Sequence, residues 1–118
     1  MYAELKEFAG EDPVKSYQRR GTGTRLVAIT SVLKGRVVSI HHNRRFVIGA
    51  GEDADYIITG ASMASSHAAL NKKDDHWIIS TIDKDALLWV NGEPLEYAVL
   101  HDKDRIKLGR HSFIFFEQ

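Results

Sequence analysis

The sequence has no cysteine, only 2 prolines and no net charge, and each of these absences removes a class of protein. Without thiols there is no disulfide scaffold, no thiolate metal site and no cysteine nucleophile. No apolar run approaches the ~20 residues that a bilayer-spanning helix needs. The opening stretch Met1–Phe8 lacks the apolar segment of a secretory signal. Sixteen basic side chains are cancelled by sixteen acidic ones, whereas a general nucleic-acid clamp carries a basic surplus. Internal repeats and low-complexity tracts are also missing. Gly21-Thr22-Gly23-Thr24 is not a phosphate-binding loop, because no Gly-Lys-Ser/Thr follows it and no strand precedes it. A soluble chain of 118 residues with 43% hydrophobic positions can build one core without staples.

The zero net charge is a sum over unlike halves. Residues 1–50 hold 9 Lys/Arg against 4 Asp/Glu, and residues 51–118 hold 7 against 12. Residues 1–24 read as an N-terminal tail, flexible or docked. Tyr2, Leu5 and Phe8 recur every three positions, but a helix that short needs a body to lie on. From Arg25 the pattern changes to short β-rich runs: 25–31, 36–40, 45–49, 56–58, 67–71, 76–82, 87–90, 105–108 and 112–116. Turn signals separate them, including Lys73-Asp74-Asp75 and the hairpin pair Asn91-Gly92, where both residues take positive φ. About ten strands at this spacing with no long helical period predict an all-β sandwich or barrel over residues 25–118. Trp77, Trp89, Phe113 and Phe115 are the expected core aromatics.

The body resembles the forkhead-associated (FHA) family, β-sandwiches whose loops at one end bind phosphothreonine peptides. Phe46-Val-Ile-Gly49, Asp55-Tyr-Ile-Ile58, His67-Ala68, Trp89-Val-Asn-Gly92, Asp104-Arg-Ile106, Leu108-Gly109 and Phe113–Phe116 carry the resemblance, which implies a sandwich of about 10–11 strands. The family pattern implies Arg after Gly49, Ser-Arg at 64–65 and Asn-Gly-Thr upstream of the Val-Asn-Gly turn. This chain has Ala50, Ala64, Ser65 and Ala86-Leu87-Leu88 there. A phosphate needs charge-assisted donors to offset its desolvation, and these alanines and leucines supply none. The site is therefore read as degenerate. In this it is similar to the FHA-like cytoplasmic domain of the inner-membrane ring protein of type III secretion systems. That resemblance implies a cytoplasmic interaction domain within a larger bacterial protein, and the alternative is a phosphopeptide-binding sensor attached to a catalytic domain.

Other constellations are weaker. Ser65-Ser66-His67 puts a hydroxyl next to an imidazole, but no orienting acid or oxyanion motif accompanies them, so the chain is not read as an enzyme. The six histidines form no metal-ligand spacing, and no metal or other cofactor is expected. Lys34, Arg36, Ala50, Ser65, Ser66 and Arg110 are the candidate binding residues of the apical loops, with Gly49, His67, Asn91 and Gly92 structural. Lys34, Arg36, Arg110 and His111 are expected on a rim shared with Glu52, Asp53 and Asp55. Arg19-Arg20 precede Thr22 and Thr24, the candidate phosphoacceptors. The expected partner is a protein, the chain's own tail or a neighbouring subunit; neither nucleic acid nor membrane insertion is expected.

Overall fold

The computed structural model describes residues 13–40 and 44–117; Tyr2, Leu5, Phe8 and the His41-His42 corner lie outside them. In chain order the elements are α1 (Pro13–Gln18), β1 (Arg25–Ala28), a 3-10 turn (Ser31–Leu33), β2 (Val37–Ser39), β3 (Phe46–Gly49) and β4 (Tyr56–Ile57). There follow β5 (Ala68–Lys73), β6 (His76–Thr81), β7 (Leu88–Val90), β8 (Glu93–Pro94), β9 (Tyr97–Leu100), β10 (Arg105–Leu108) and β11 (His111–Phe116). One sheet has the order β2-β1-β11-β10-β7-β8 and the other β4-β3-β5-β6-β9. Every pairing is antiparallel except β3 with β4.

Period-two patterning decides which face of each strand is buried. Along β10, Ile106 and Leu108 point into the core while Arg105 and Lys107 face out. The hairpins follow their turn residues. Asp74 and Asp75 sit at φ 51 and 68, and Asn91 and Gly92 at φ 51 and 86, the mirror-image turn that matches strand twist. Asn91 does more than turn the chain. Its Oδ1 accepts the Arg105 N–H at 2.9 Å and its Nδ2 donates to Asp104 at 3.0 Å.

The central strand β11 is buried on both faces. Phe113 and Phe115 join the inter-sheet core with Trp77, whose ring meets Phe115 edge-on. Ile114 and Phe116 point the other way and form a second small cluster with Val27. Val14 and Tyr17 of α1 pack on that cluster, so the part of the tail that is described lies on the sandwich. Six residues cannot hold a helix in water by themselves. What holds α1 is Arg25, whose side chain is buried. Its guanidinium donates to the carbonyls of Gln18 (2.5 Å), Arg20 (2.7 Å) and Gly23 (2.6 Å), and it lies 5.0 Å from the Phe116 ring centroid. Burial lowers the Arg25 pKa from its ordinary value, with Asp102 opposing the shift. An arginine starts far enough above neutrality to stay charged.

Two expectations change. Trp89 is not in the core: it is half-buried on the outer face of the six-stranded sheet, with the Lys107 ammonium 5.0 Å over its ring. It lines a 310 Å³ groove with Ile29, Arg105 and Ser112. Position 89 alternates with Leu88 and Val90, which are the buried pair, and a period-two pattern cannot say which set faces in. The strand β9 has no alternating pattern in the sequence, because its outward residues Tyr97 and Val99 are themselves apolar.

Replacing Arg25 by Met keeps the stem and removes the three charge-assisted donations. Arg25→Met is expected to lower unfolding free energy by about 2–3 kcal/mol, measured by chemical denaturation. Trypsin should then cut after Lys15 and Arg19 before the sandwich unfolds.

Candidate functional site

Strand direction brings five connections to one end of the sandwich: residues 29–36, 50–55, 58–67, 82–87 and 109–110. Hydrogen bonds fix them to one another. Ala50 N–H donates to the Ala64 carbonyl (2.9 Å), Gly51 to Ser65 (3.0 Å) and Gly109 to Leu87 (3.2 Å), while Arg110 N–H reaches the Ser62 hydroxyl (3.2 Å). Gly49 permits this closeness. A Cβ built there would lie 2.1 Å from the Ser65 carbonyl oxygen, so any side chain would push the two loops apart.

His67 is the hub of the cluster and is buried. Its main-chain N–H donates to Ile48 and its carbonyl accepts from Ile82, each at 3.0 Å. Nδ1 accepts the Ala64 N–H at 3.1 Å, which assigns the ring proton to Nε2, and Nε2 donates to the Leu87 carbonyl at 2.9 Å. The imidazole thus ties the 58–67 loop to the 82–87 loop. Both nitrogens are engaged, so neither can take a proton from the neighbouring hydroxyls of Ser65 and Ser66, which are exposed in the loop.

The remaining site residues divide by environment. Lys34, Arg36 and Arg110 are exposed, Ala50 is half-buried against the core, and Gly92 is exposed at the tip of the opposite end. Thr22 is exposed, between Gly21 and Gly23 at φ 75 and 74. Thr24 is buried, and its hydroxyl donates to the Glu117 carbonyl at 3.2 Å. The expected rim differs in two respects. Asp55 pairs with Arg44 at 2.7 Å and accepts the Val47 N–H, so it is committed to the β3–β4 corner. His111 is buried at the start of β11, not on the rim. Reading that hairpin turn as Gly109-Arg110-His111 put it one residue too far along, and register reverses with each residue. Its Nδ1 has no hydrogen-bond partner among the described residues. Desolvation, and secondarily the Arg110 charge, holds the His111 pKa below the usual 6.5.

At the positions that carry the family's phosphate donors, the apical surface therefore offers an anion little. Ala50, Ala64 and Ala86 carry no side-chain donor, and the main-chain N–H groups of Ala50, Gly51, Ala64 and Ala86 are all consumed inside the protein. Sequence reasoning located the missing side chains. It had no means of showing that the backbone donors are also spent.

A family model described as the cytoplasmic domain of the inner membrane component of the type III secretion system matches residues 32–118. Among solved structures, the FHA domain of CT664 from Chlamydia trachomatis is similar at 16% identity and TM-score 0.72, over 82% of this chain and 99% of that one. The cytoplasmic domain of the type III secretion sorting-platform protein PscD from P. aeruginosa aligns at 15% identity and TM-score 0.68, over 81% of both chains. The FHA domain of FhaA, solved in complex with an intracellular domain, aligns at 20% identity and TM-score 0.69, over 79% of this chain and 99% of that one. A search of curated proteins finds no match.

His67→Ala should lower stability by about 2–4 kcal/mol, because it orphans a donor and an acceptor in a buried position. Faster hydrogen exchange at Ala64 than at core amides would localise the effect. His111 supplies a pH dependence. Its folded pKa lies below its unfolded one, so the unfolded chain binds the proton first and stability falls as pH drops below 6.5. His111→Phe should give a shallower loss of unfolding free energy than wild type between about pH 7 and about pH 5.

Proposed function

The chain belongs to the family of cytoplasmic domains of the type III secretion inner-membrane component, and from that premise we propose that it is a non-enzymatic protein–protein interaction domain. In this reading residues 25–118 are the binding body and residues 1–24 an N-terminal tail, of which residues 13–24 are strapped to it. The apical loops bind a protein partner through shape and neutral contacts, without requiring a phosphate. The observation that carries this is the loss of donors at the positions where the family supplies them: alanine at 50, 64 and 86, with their backbone N–H groups already engaged. A dianion placed there would lose its hydration without recovering equivalent bonds. The absence of catalysis rests on His67, which braces loops with both ring nitrogens.

One observation favours a second reading, a sensor of the chain's own phosphorylated tail. Thr22 is exposed, while Thr24 is buried and hydrogen-bonded. Thr22 alone of the two is open to a kinase, with Arg19 and Arg20 just upstream. Lys34, Arg36 and Arg110 would then act as a relocated anion site.

Titration calorimetry with paired phosphothreonine and threonine peptides separates the two readings. One pair is residues 14–28 with and without phosphate on Thr22. The interaction reading expects affinities equal within about threefold, under 1 kcal/mol. A preference of tenfold or more for the phosphorylated form, lost in Arg36→Ala or Arg110→Ala, overturns it in favour of the sensor.

A further inference from the structure

The outer face of the six-stranded sheet is covered on one side and open on the other. Over β1 and β11, Val14 and Tyr17 of α1 pack on Val27, Ile114 and Phe116. Beside that covered part, over β10 and β7, runs the 310 Å³ groove lined by Trp89, Arg105, Lys107 and Ser112. Ile29 belongs to both, since it packs on the cluster under α1 and also lines the groove. Arg105 and Lys107 are exposed and Trp89 is half-buried, so the groove presents an indole flanked by two cations. Strands β7, β10 and β11 contain no Asp or Glu. Asp104, next to Arg105 in the chain, is committed to the Asn91 amide and the His101 N–H.

The segment that leads into α1 has the complementary composition. Residues 1–12 hold Glu4, Glu7, Glu11 and Asp12 against Lys6, and these four are all the acidic side chains among the first 50 residues. Tyr2, Leu5 and Phe8 stand between them at every third position. An extended segment of that length reaches about 40 Å, whereas β7 lies only two strand spacings, about 10 Å, from β11. Arg25 anchors α1 by its C-terminal end, through the Gln18 carbonyl. Residues 1–12 are therefore delivered beside the groove at the effective concentration of a short tether, on the order of millimolar. A contact too weak to hold a free peptide is occupied under that condition.

We propose that residues 1–12 seat in this groove of their own chain, with Tyr2, Leu5 and Phe8 against Trp89 and Ile29 and the acidic side chains towards Arg105 and Lys107. Two observations select this occupant. The groove is continuous, through Ile29, with the surface that α1 already covers. Residues 13–51 carry no acid at all, so residues 1–12 are the part of the N-terminal half whose charge suits the groove. The site lies on the sheet face and does not depend on how the apical loops bind a partner.

Acrylamide quenching of tryptophan fluorescence in the 118-residue chain tests the proposal. Trp77 is 1% exposed, so Trp89 is the tryptophan that the quencher reaches. Tyr2→Ser with Leu5→Ser and Phe8→Ser should raise the quenching constant about twofold, the effect of uncovering one of the two faces of a ring. The same triple change in a Trp89→Phe chain should leave quenching as it is in Trp89→Phe alone. Glu4→Lys with Glu7→Lys should also expose Trp89, and adding Arg105→Glu with Lys107→Glu should cover it again. Quenching that the triple change leaves at the wild-type level overturns the proposal. So does a rise that persists in Trp89→Phe, which would come from a loosened core around Trp77. A charge exchange that fails to restore protection overturns it as well. Protection that falls on dilution would place the segment on a second copy and overturn the assignment to its own chain.

Discussion

Everything at the loop-bearing end depends on one buried imidazole having no free polar group. His67 uses its amide, its carbonyl and both ring nitrogens on three segments: Ile48 in β3, Ala64 in the loop before β5, and Ile82 and Leu87 at the two ends of the loop between β6 and β7. A buried polar residue is stabilising only when it is satisfied, and a satisfied one fixes geometry as well. Gly49 allows the same region to close, since the space a Cβ would fill is taken by the Ser65 carbonyl. Hub and gap are complementary. One pulls the loops together, and the other lets them meet.

At the tail the same logic uses a cation. Arg25 is the first residue of β1, and its side chain points outward, away from the inter-sheet core. It is buried because residues 18–23 fold over it and give it three carbonyls. The apolar cluster of Val27, Ile114 and Phe116 would otherwise face water, and α1 covers it. The tail segment is thus part of the fold's burial, although its sequence, with Arg19-Arg20 and two glycines, resembles a linker.

The fold was legible because turn chemistry and strand period agreed. Asn91-Gly92 and Asp74-Asp75 adopt the positive φ values their sequences call for, and the family motifs fell on β3, β4, β5, β7 and β10–β11. The side-chain deficits of the site were equally visible, since Ala50, Ala64 and Ala86 are facts of sequence. What stayed hidden were properties of long-range geometry. The binding of Arg25 to Gln18 depends on how a loop returns, and the burial of His111 turns on a single residue of register. Trp89 faces outward under Lys107 for the same reason: alternation names two sets of residues without naming the inside.

The position of β11 has a kinetic consequence. It lies between β1 and β10, and Thr24 and Glu117, which hydrogen-bond at its end, are 93 residues apart. The β1–β2 hairpin is made well before β11, and until β11 is made β1 lacks its second neighbour in the sheet. The six-stranded sheet therefore cannot close progressively from the N-terminus; it closes around its final strand in a single late step. Folds dominated by such distant pairings form slowly compared with helical bundles. In that interval β1, whose Leu26, Val27 and Ala28 are all buried in the finished protein, has one edge unpaired. The cations clustered around that hairpin would help keep it soluble while it waits.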